Sequence, residues 1–219
     1  MGLPRLESVP TGKIRADLSR SARLLIEDRA IRRCVGLVVV ASLSFAAIES
    51  LAVVYGARVG GGRGWIAGIA LAGSALVSLA ITPFVPTEGV DRLVRWTAGL
   101  ACAGGLAAVA GFIILGRGVL GVVAFAIAGI LMVVIVPANV LVAPRLPDEL
   151  RASALSLLMG ALVASQAVGA TLGGVFADLM SPVVAAVLLA LPAAIAGALA
   201  LGRPITVDAP PLALLQEAA

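Results

Sequence analysis

Six long apolar runs constrain this chain more than any other feature of its sequence. A helix needs about 20 predominantly apolar residues to cross about 30 Å of hydrocarbon. The runs are continuous and rich in Ala, Gly and Leu, which favours helices over the alternating pattern of membrane strands. With 61% hydrophobic and 13% charged residues, the chain is predicted to be an all-α integral membrane protein. The predicted spans are residues 34–57, 65–85, 96–115, 119–142, 153–176 and 183–201.

The basic residues lie mainly on one side of these spans. Thirteen of the 16 Lys and Arg residues fall in the N-terminal segment or in loops on its side, and only Arg58, Arg63 and Arg117 fall on the other. The positive-inside rule therefore predicts a multi-pass protein of the cell membrane with both termini in the cytoplasm. The sequence pI of about 10.0 indicates this topology, and we expect no nucleic-acid partner. The predicted regions are 1–33, a cytoplasmic linker and helix, 34–201, the transmembrane domain, and 202–219, a cytoplasmic tail.

Residues 14–33 have the pattern of a basic amphipathic helix. Ile14, Leu18, Ala22 and Leu25 recur at helical spacing with arginines between them. Such a helix lies at the membrane surface, where anionic lipid attracts it by about 1 kcal/mol per basic residue. The alternative is a solvated positive flank that only fixes topology.

The first span contains an isolated carboxylate, Glu49 in the stretch AAIESLAVVY. A charged side chain at mid-bilayer costs roughly 2.5 to 3.5 kcal/mol on insertion scales, so such residues mostly face protein or water. Glu49 lies about 22 Å past Cys34 along the helix axis, with Ser42 and Phe45 before it on the same face. These three residues, with Gln166 in the fifth span, are the candidates for a substrate or proton pathway. The alternative is that Glu49 and Gln166 hydrogen-bond neighbouring helices.

Two spans carry stripes of small residues at a spacing of four. Such stripes let helices approach closely, so we expect packing, although both could instead line a substrate path. The second stripe could also join two copies of the chain. In the fourth span, Pro137 predicts a bend near Asn139. The stripes are Ala70, Ser74, Ser78 and Thr82, and Ala161, Ser165, Gly169 and Gly173.

Missing residues exclude several classes of chemistry. The chain has no histidine, so it has no Ser-His pair, no His zinc site and no His haem ligand. It also lacks the Gly-rich Lys-Ser/Thr phosphate loop of ATP sites. We therefore expect no enzyme activity, cofactor or metal.

The stretch VPANVLVAPRLPDELRASALSLLMGALVASQAVGATLGGVFAD, residues 136–178, resembles the tenth and eleventh helices of a major facilitator superfamily transporter. Residues 24–76 resemble the end of the family's central loop and its next two helices, in the style of drug and siderophore exporters. In the loop after the second span, Thr87 and Val94 replace two glycines of the family's loop element. The loop residues that match the family are Asp91, Arg92, Arg95, Pro147, Asp148, Glu149 and Arg151, and Arg145 is a further candidate residue of the second cytoplasmic loop.

The resemblance implies a specific architecture and function. Family members have two six-helix halves built from inverted three-helix repeats, with the substrate cavity between the halves. This chain resembles the second half. The resemblance thus implies proton-coupled efflux of a small molecule together with another six-helix half, which would be a separate chain, a missing N-terminal half or a second copy. The alternative is a truncated, non-transporting remnant or scaffold.

Overall fold

The computed structural model describes residues 11–59, 65–115 and 120–203, with side chains from residue 18 onward. These ranges are helical almost throughout and contain no strand, which confirms the all-α class. Short 3₁₀ turns, Thr82–Phe84 and Ala143–Arg145, end two of the segments. The helices are α1 Thr11–Glu27, α2 Arg29–Val59, α3 Trp65–Ile81, α4 Val90–Leu115, α5 Gly121–Ala128, α6 Ile130–Val133, α7 Ile135–Val142, α8 Asp148–Leu179 and α9 Pro182–Leu201.

Six helical segments in the described ranges are long and apolar enough to cross a membrane, as predicted. Several helices extend beyond the predicted spans, because polar residues continue a helix past the hydrocarbon. Residues 1–10, Arg63, Arg117 and residues 204–219 lie outside the described part of the chain. The six segments are Arg29–Arg58, Trp65–Phe84, Val90–Leu115, Gly121–Arg145, Asp148–Leu179 and Pro182–Leu201.

The predicted amphipathic helix over residues 14–33 is interrupted, so that prediction was wrong at its C-terminal end. Helix α1 ends at Glu27, and Asp28 begins a new helix. The Asp28 carboxylate oxygen Oδ1 accepts hydrogen bonds from the backbone N–H groups of Ala30 and Ile31, at 2.8 and 3.0 Å. Asp28 therefore acts as an N-cap of α2, and it separates α1 from α2.

Helix α2 is the centre of the bundle. It packs most extensively against α8 and then against α9, whereas α4 packs mainly against α9 and α3 mainly against α5. The close approach of α4 to α9 depends on glycine, since a Cβ on Gly105 would lie 2.5 Å from the backbone nitrogen of Ala194. The largest fully buried side chains include Ile48, Leu51, Phe112, Leu131 and Leu158.

The fourth span, Gly121–Arg145, is broken at Gly129 and Val134 rather than near Asn139, so the predicted position of its bend was wrong. The ring of a proline clashes with the carbonyl four residues earlier, and for Pro137 this is Val133, where α6 ends. At the other break, the Ser78 hydroxyl lies 2.7 Å from the Gly129 carbonyl oxygen. A neighbouring side chain thus contacts a backbone group at the break, as broken membrane helices require.

Candidate functional site

Glu49 lies at the rim of a small recess where α2, α3 and α5 meet. The recess encloses about 10 Å³, which is room for about one water molecule. Apolar and aromatic groups form its walls, and the Glu49 carboxyl group and the Ser74 hydroxyl are its polar side-chain groups. The lining residues are Phe45, Ile48 and Glu49 of α2, Ala70, Leu71 and Ser74 of α3, and Phe125 and Ala128 of α5.

The Glu49 side chain is half-buried. Within the described ranges, no group hydrogen-bonds its carboxyl oxygens and no cation pairs with them. The Ser74 hydroxyl donates to the Leu71 carbonyl oxygen at 2.8 Å, so its hydrogen is already in use. The carboxyl group is therefore available to a proton or to a cation that enters the recess.

Phe125, which lines the recess, packs against two further aromatic rings. The ring centroid of Phe125 lies 5.3 Å from that of Tyr55 and 4.9 Å from that of Phe112. Such tilted and edge-to-face pairs stabilise by about 0.5–1.5 kcal/mol beyond their buried area. Gly121 makes room for Tyr55, because a Cβ there would collide with the Tyr55 hydroxyl. Phe125, the α5 residue in the recess wall, is thus held in place by contacts with α2 and α4.

The structure brings together only two of the four predicted pathway residues. Phe45 and Glu49 line the recess, whereas Ser42 is buried two turns earlier and does not reach it. Gln166 is half-buried on α8, which is not one of the three helices around the recess.

Sequence reasoning missed Phe125 and gave Ser74 only an alternative role. Ala70 and Ser74, from the first small-residue stripe, line the recess, while Ser78 of the same stripe contacts Gly129. The stripe therefore takes part in both packing and the recess wall. A phenylalanine in an apolar span gives no sequence signal of its position, since only the fold sets it against Glu49.

The second stripe packs inside the chain. A Cβ on Gly169 would collide with the Leu43 carbonyl oxygen, and one on Gly173 would collide with Ser50 Oγ and the Ala47 carbonyl oxygen. Ser165 is buried and donates to the Leu162 carbonyl oxygen, and Ala161 is half-buried. Because α2 covers this stripe, the suggested contact between two copies at Gly169 is corrected: that surface is already occupied.

The loop residues separate into bonded and exposed groups. Arg145 pairs with Asp28, with 2.8 Å between Nη1 and Oδ2. Arg151 donates to the Ala143 carbonyl oxygen and pairs with Asp148. Four residues, Asp91, Arg92, Arg95 and Glu149, are exposed near the starts of α4 and α8. No described group of three or more His, Cys, Asp or Glu residues forms a candidate metal site.

Comparison with known proteins gives no functional assignment, so the recess and the helix packing are the basis for one. No family model matches this chain, and no curated protein or solved structure matches it.

Proposed function

We propose that this chain is one six-helix half of a secondary active transporter of the major facilitator type, which exports a small molecule in exchange for protons. The observation that carries the proposal is the half-buried Glu49 carboxyl group in its recess, without a partner in the described ranges. Intramembrane ionisable residues are costly to insert and mark ion or substrate pathways.

The packing pattern supports two inverted three-helix repeats. If the first, second and third spans are exchanged with the fourth, fifth and sixth, the α2–α8 pair corresponds to the pair of α3 and the fourth span. These two spans also pack against each other. The same exchange turns the α2–α9 pair into the packed pair between the fourth span and α4, and it maps the α4–α9 pair onto itself. Inverted repeats would account for the correspondence of these extensive pairs, whereas the smaller α2–α3, α2–α4 and α8–α9 contacts have no counterpart of similar extent.

A second six-helix half would cover the outward surface of α8. That surface, here called the small-residue face, consists of the exposed residues Gly160, Ala164, Ala167, Thr171 and Gly174. Small residues allow another helix backbone to approach closely. In this proposal the second half also covers the recess at Glu49 and turns it into part of a cavity.

In this proposal Glu49 couples the two transported species. The carboxyl group binds either a proton or a cationic substrate, so binding of one weakens binding of the other by a reciprocal coupling free energy. The recess itself has room for a proton or a water molecule, so an organic cation would bind at its mouth, in the wider cavity that the second half completes. The end of the bundle that carries Arg145 faces the cytoplasm, in line with the excess of basic residues there.

Proton movement in proteoliposomes tests the role of Glu49. The chain is extracted with its native partners, reconstituted with an internal pH dye and exposed to tetraphenylphosphonium, a permanent organic cation. We expect the cation to drive proton movement in the unaltered protein. Glu49→Gln, which keeps the size of the side chain and removes its titration, is expected to abolish it.

A matched control makes the same chemical change at the membrane surface. Glu88 is exposed in the loop before α4, so Glu88→Gln should leave proton movement intact. If Glu49→Gln and Glu88→Gln behave alike while both proteins are folded, the proposed coupling role is wrong. No proton movement and no thermal stabilisation with a panel of organic cations would favour a non-transporting scaffold.

A further inference from the structure

Helix α1 is seated on the end of the bundle beside α8. Ser21 is fully buried, and Leu25 packs in a cluster with Ile31, Leu146 and Ala154. This contact fixes the rotation of α1 about its own axis. The opposite side of the helix is therefore held outward.

The outward side of α1 carries positive charge. Arg20 and Arg23 are exposed, and at a spacing of three they lie next to each other on the helix surface. Arg32, exposed on the first turn of α2, donates from Nη1 to the Ile26 carbonyl oxygen at 2.9 Å. The end of α1 thus has a further cation attached to it.

Among the described acids near these arginines, none forms an ion pair with Arg20 or Arg23. Asp28 uses one carboxylate oxygen to cap α2 and the other to pair with Arg145. Glu27 is exposed, but in the part of the chain that the structure describes it forms no ion pair with Arg20 or Arg23. Within the described residues, Arg20 and Arg23 therefore present two guanidinium groups without an ion-pair partner, close to the start of α2.

An apolar side chain adjoins the arginines. Ile26 is 61% exposed and follows Arg23 by three residues. A helix that offers both cationic and apolar groups outward is suited to the boundary between lipid headgroups and acyl chains. Guanidinium groups also bind phosphate oxygens in a bidentate geometry.

We propose that Arg20 and Arg23 form a binding surface for the headgroups of anionic phospholipids, with Ile26 in the acyl boundary beside them. The surface goes beyond the proposed transport function and does not depend on it. It is a defined site on a docked helix, distinct from the general excess of basic residues that sets topology.

The test compares the melting temperature of the purified chain in neutral detergent with added phosphatidylglycerol or phosphatidylcholine. We expect phosphatidylglycerol alone to raise it. Arg20→Gln with Arg23→Gln should remove most of this rise. Arg92→Gln with Arg95→Gln, an exposed pair at the start of α4 on the same end of the bundle, should leave most of it. Glu27→Gln, which removes the neighbouring acid, should increase the rise.

Several results would overturn the proposal. If both arginine double variants lose the same part of the rise in melting temperature, the stabilisation by phosphatidylglycerol depends only on the total charge of the protein. If the melting temperature still rises fully after Arg20 and Arg23 are replaced, phosphatidylglycerol binds elsewhere on the chain. If inorganic phosphate or polyglutamate reproduces the rise at equal charge, the surface recognises a soluble anion or an acidic peptide instead of a membrane.

Discussion

The outward surfaces of α4 and α9 differ sharply from that of α8, although all three helices are exposed along much of their length. The exposed side chains of α4 and α9 include Leu106, Ile113, Ile114, Ile195 and Leu199, each more than half exposed. The exposed side of α8 carries small residues and valines, and its first exposed apolar side chain of leucine size is Leu179 at its C-terminal end. Exposure alone therefore does not distinguish a lipid-facing surface from a protein-facing one.

Side-chain size distinguishes the two surfaces for a physical reason. Lipid tails are as apolar as leucine, so helices gain nothing from burying apolar groups against each other and associate through close packing instead. Large branched side chains suit contact with acyl chains. The small-residue face of α8 suits contact with another helix, and the glycines on its inner side already show such a contact with α2.

The largest expected effect is a difference in unfolding free energy between substitutions of an inner and of an outer glycine of α8. Gly169→Leu forces a side chain against the Leu43 carbonyl, and overpacking of this kind typically costs about 1–3 kcal/mol and occasionally more. Gly174→Leu meets open space, since no atom lies within 4 Å of a Cβ there. For the isolated chain, without a second half, we expect a large fall in the free energy of unfolding for the first variant and little change for the second. Unfolding in mixed micelles by titration with SDS measures both, and equal losses would contradict the assignment of the inner side.

The next effect concerns the small-residue face itself. Ala167→Leu enlarges an exposed residue on α8, and Ala198→Leu makes the same change on the exposed side of α9. If another half covers α8, the first variant should weaken the assembly by about tenfold for each 1.4 kcal/mol of overpacking. The second should leave it intact, because lipid accommodates the larger side chain.

Mass measurement of the complex in native-membrane nanodiscs, together with cation-driven proton movement, tests this pair. The unfolding free energy of each variant serves as a control for folding. Unchanged assembly and proton movement in Ala167→Leu would show that lipid, and not protein, covers α8.

The smallest expected effect concerns the ion pair between Asp28 and Arg145. It tests whether this ion pair helps to hold the start of α8. The Asp28 and Arg145 side chains are 23% and 20% exposed, so the ion pair is expected to contribute about 1 kcal/mol, the upper end of the range for exposed pairs. Asp28→Asn removes the charge but keeps an oxygen for the cap, whereas Asp28→Ala removes both. Loss of a cap costs about 1 kcal/mol, so the alanine variant should lose more unfolding free energy than the asparagine variant.

A double-mutant cycle with Arg145→Gln isolates the ion pair from the cap. A coupling energy is expected between Asp28→Asn and Arg145→Gln, because both variants remove one charge of the ion pair and leave the cap oxygen in place. The additional loss of stability in Asp28→Ala reports the cap, so it should not depend on Arg145. If the cycle shows no coupling, the ion pair does not help to hold α8, and the position of α8 depends on its contacts with α2.

Much of the helix layout was predictable, because hydropathy over about 20 residues measures the transfer of a whole segment into lipid. The errors occurred where a single side chain decides local geometry. The carboxylate of Asp28 ends one helix and begins another, although an aspartate before an apolar helix is a recognised N-cap signal. The break before Pro137 lies on the side of the clashing carbonyl and not toward Asn139.

The candidate site was only partly accessible to sequence reasoning. Glu49 and Phe45 could be found, because a charge in an apolar span is costly and the helical repeat sets its neighbours. Phe125 and Ser74 belong to other helices, and Ser42 shares a face with Glu49 without reaching the recess. Spacing along one helix says nothing about which part of a neighbour crosses it.

The sequence by itself determined that the chain is helical, that six segments can span a membrane and that one of them carries a carboxylate. These properties are local, since a segment in lipid must satisfy its backbone hydrogen bonds within itself. Only the tertiary structure decided that the Gly169 stripe faces α2, that α8 exposes a second small surface and that Phe125 closes the recess at Glu49. Those outcomes depend on steric fit between distant residues, which changes when a single Cβ is added.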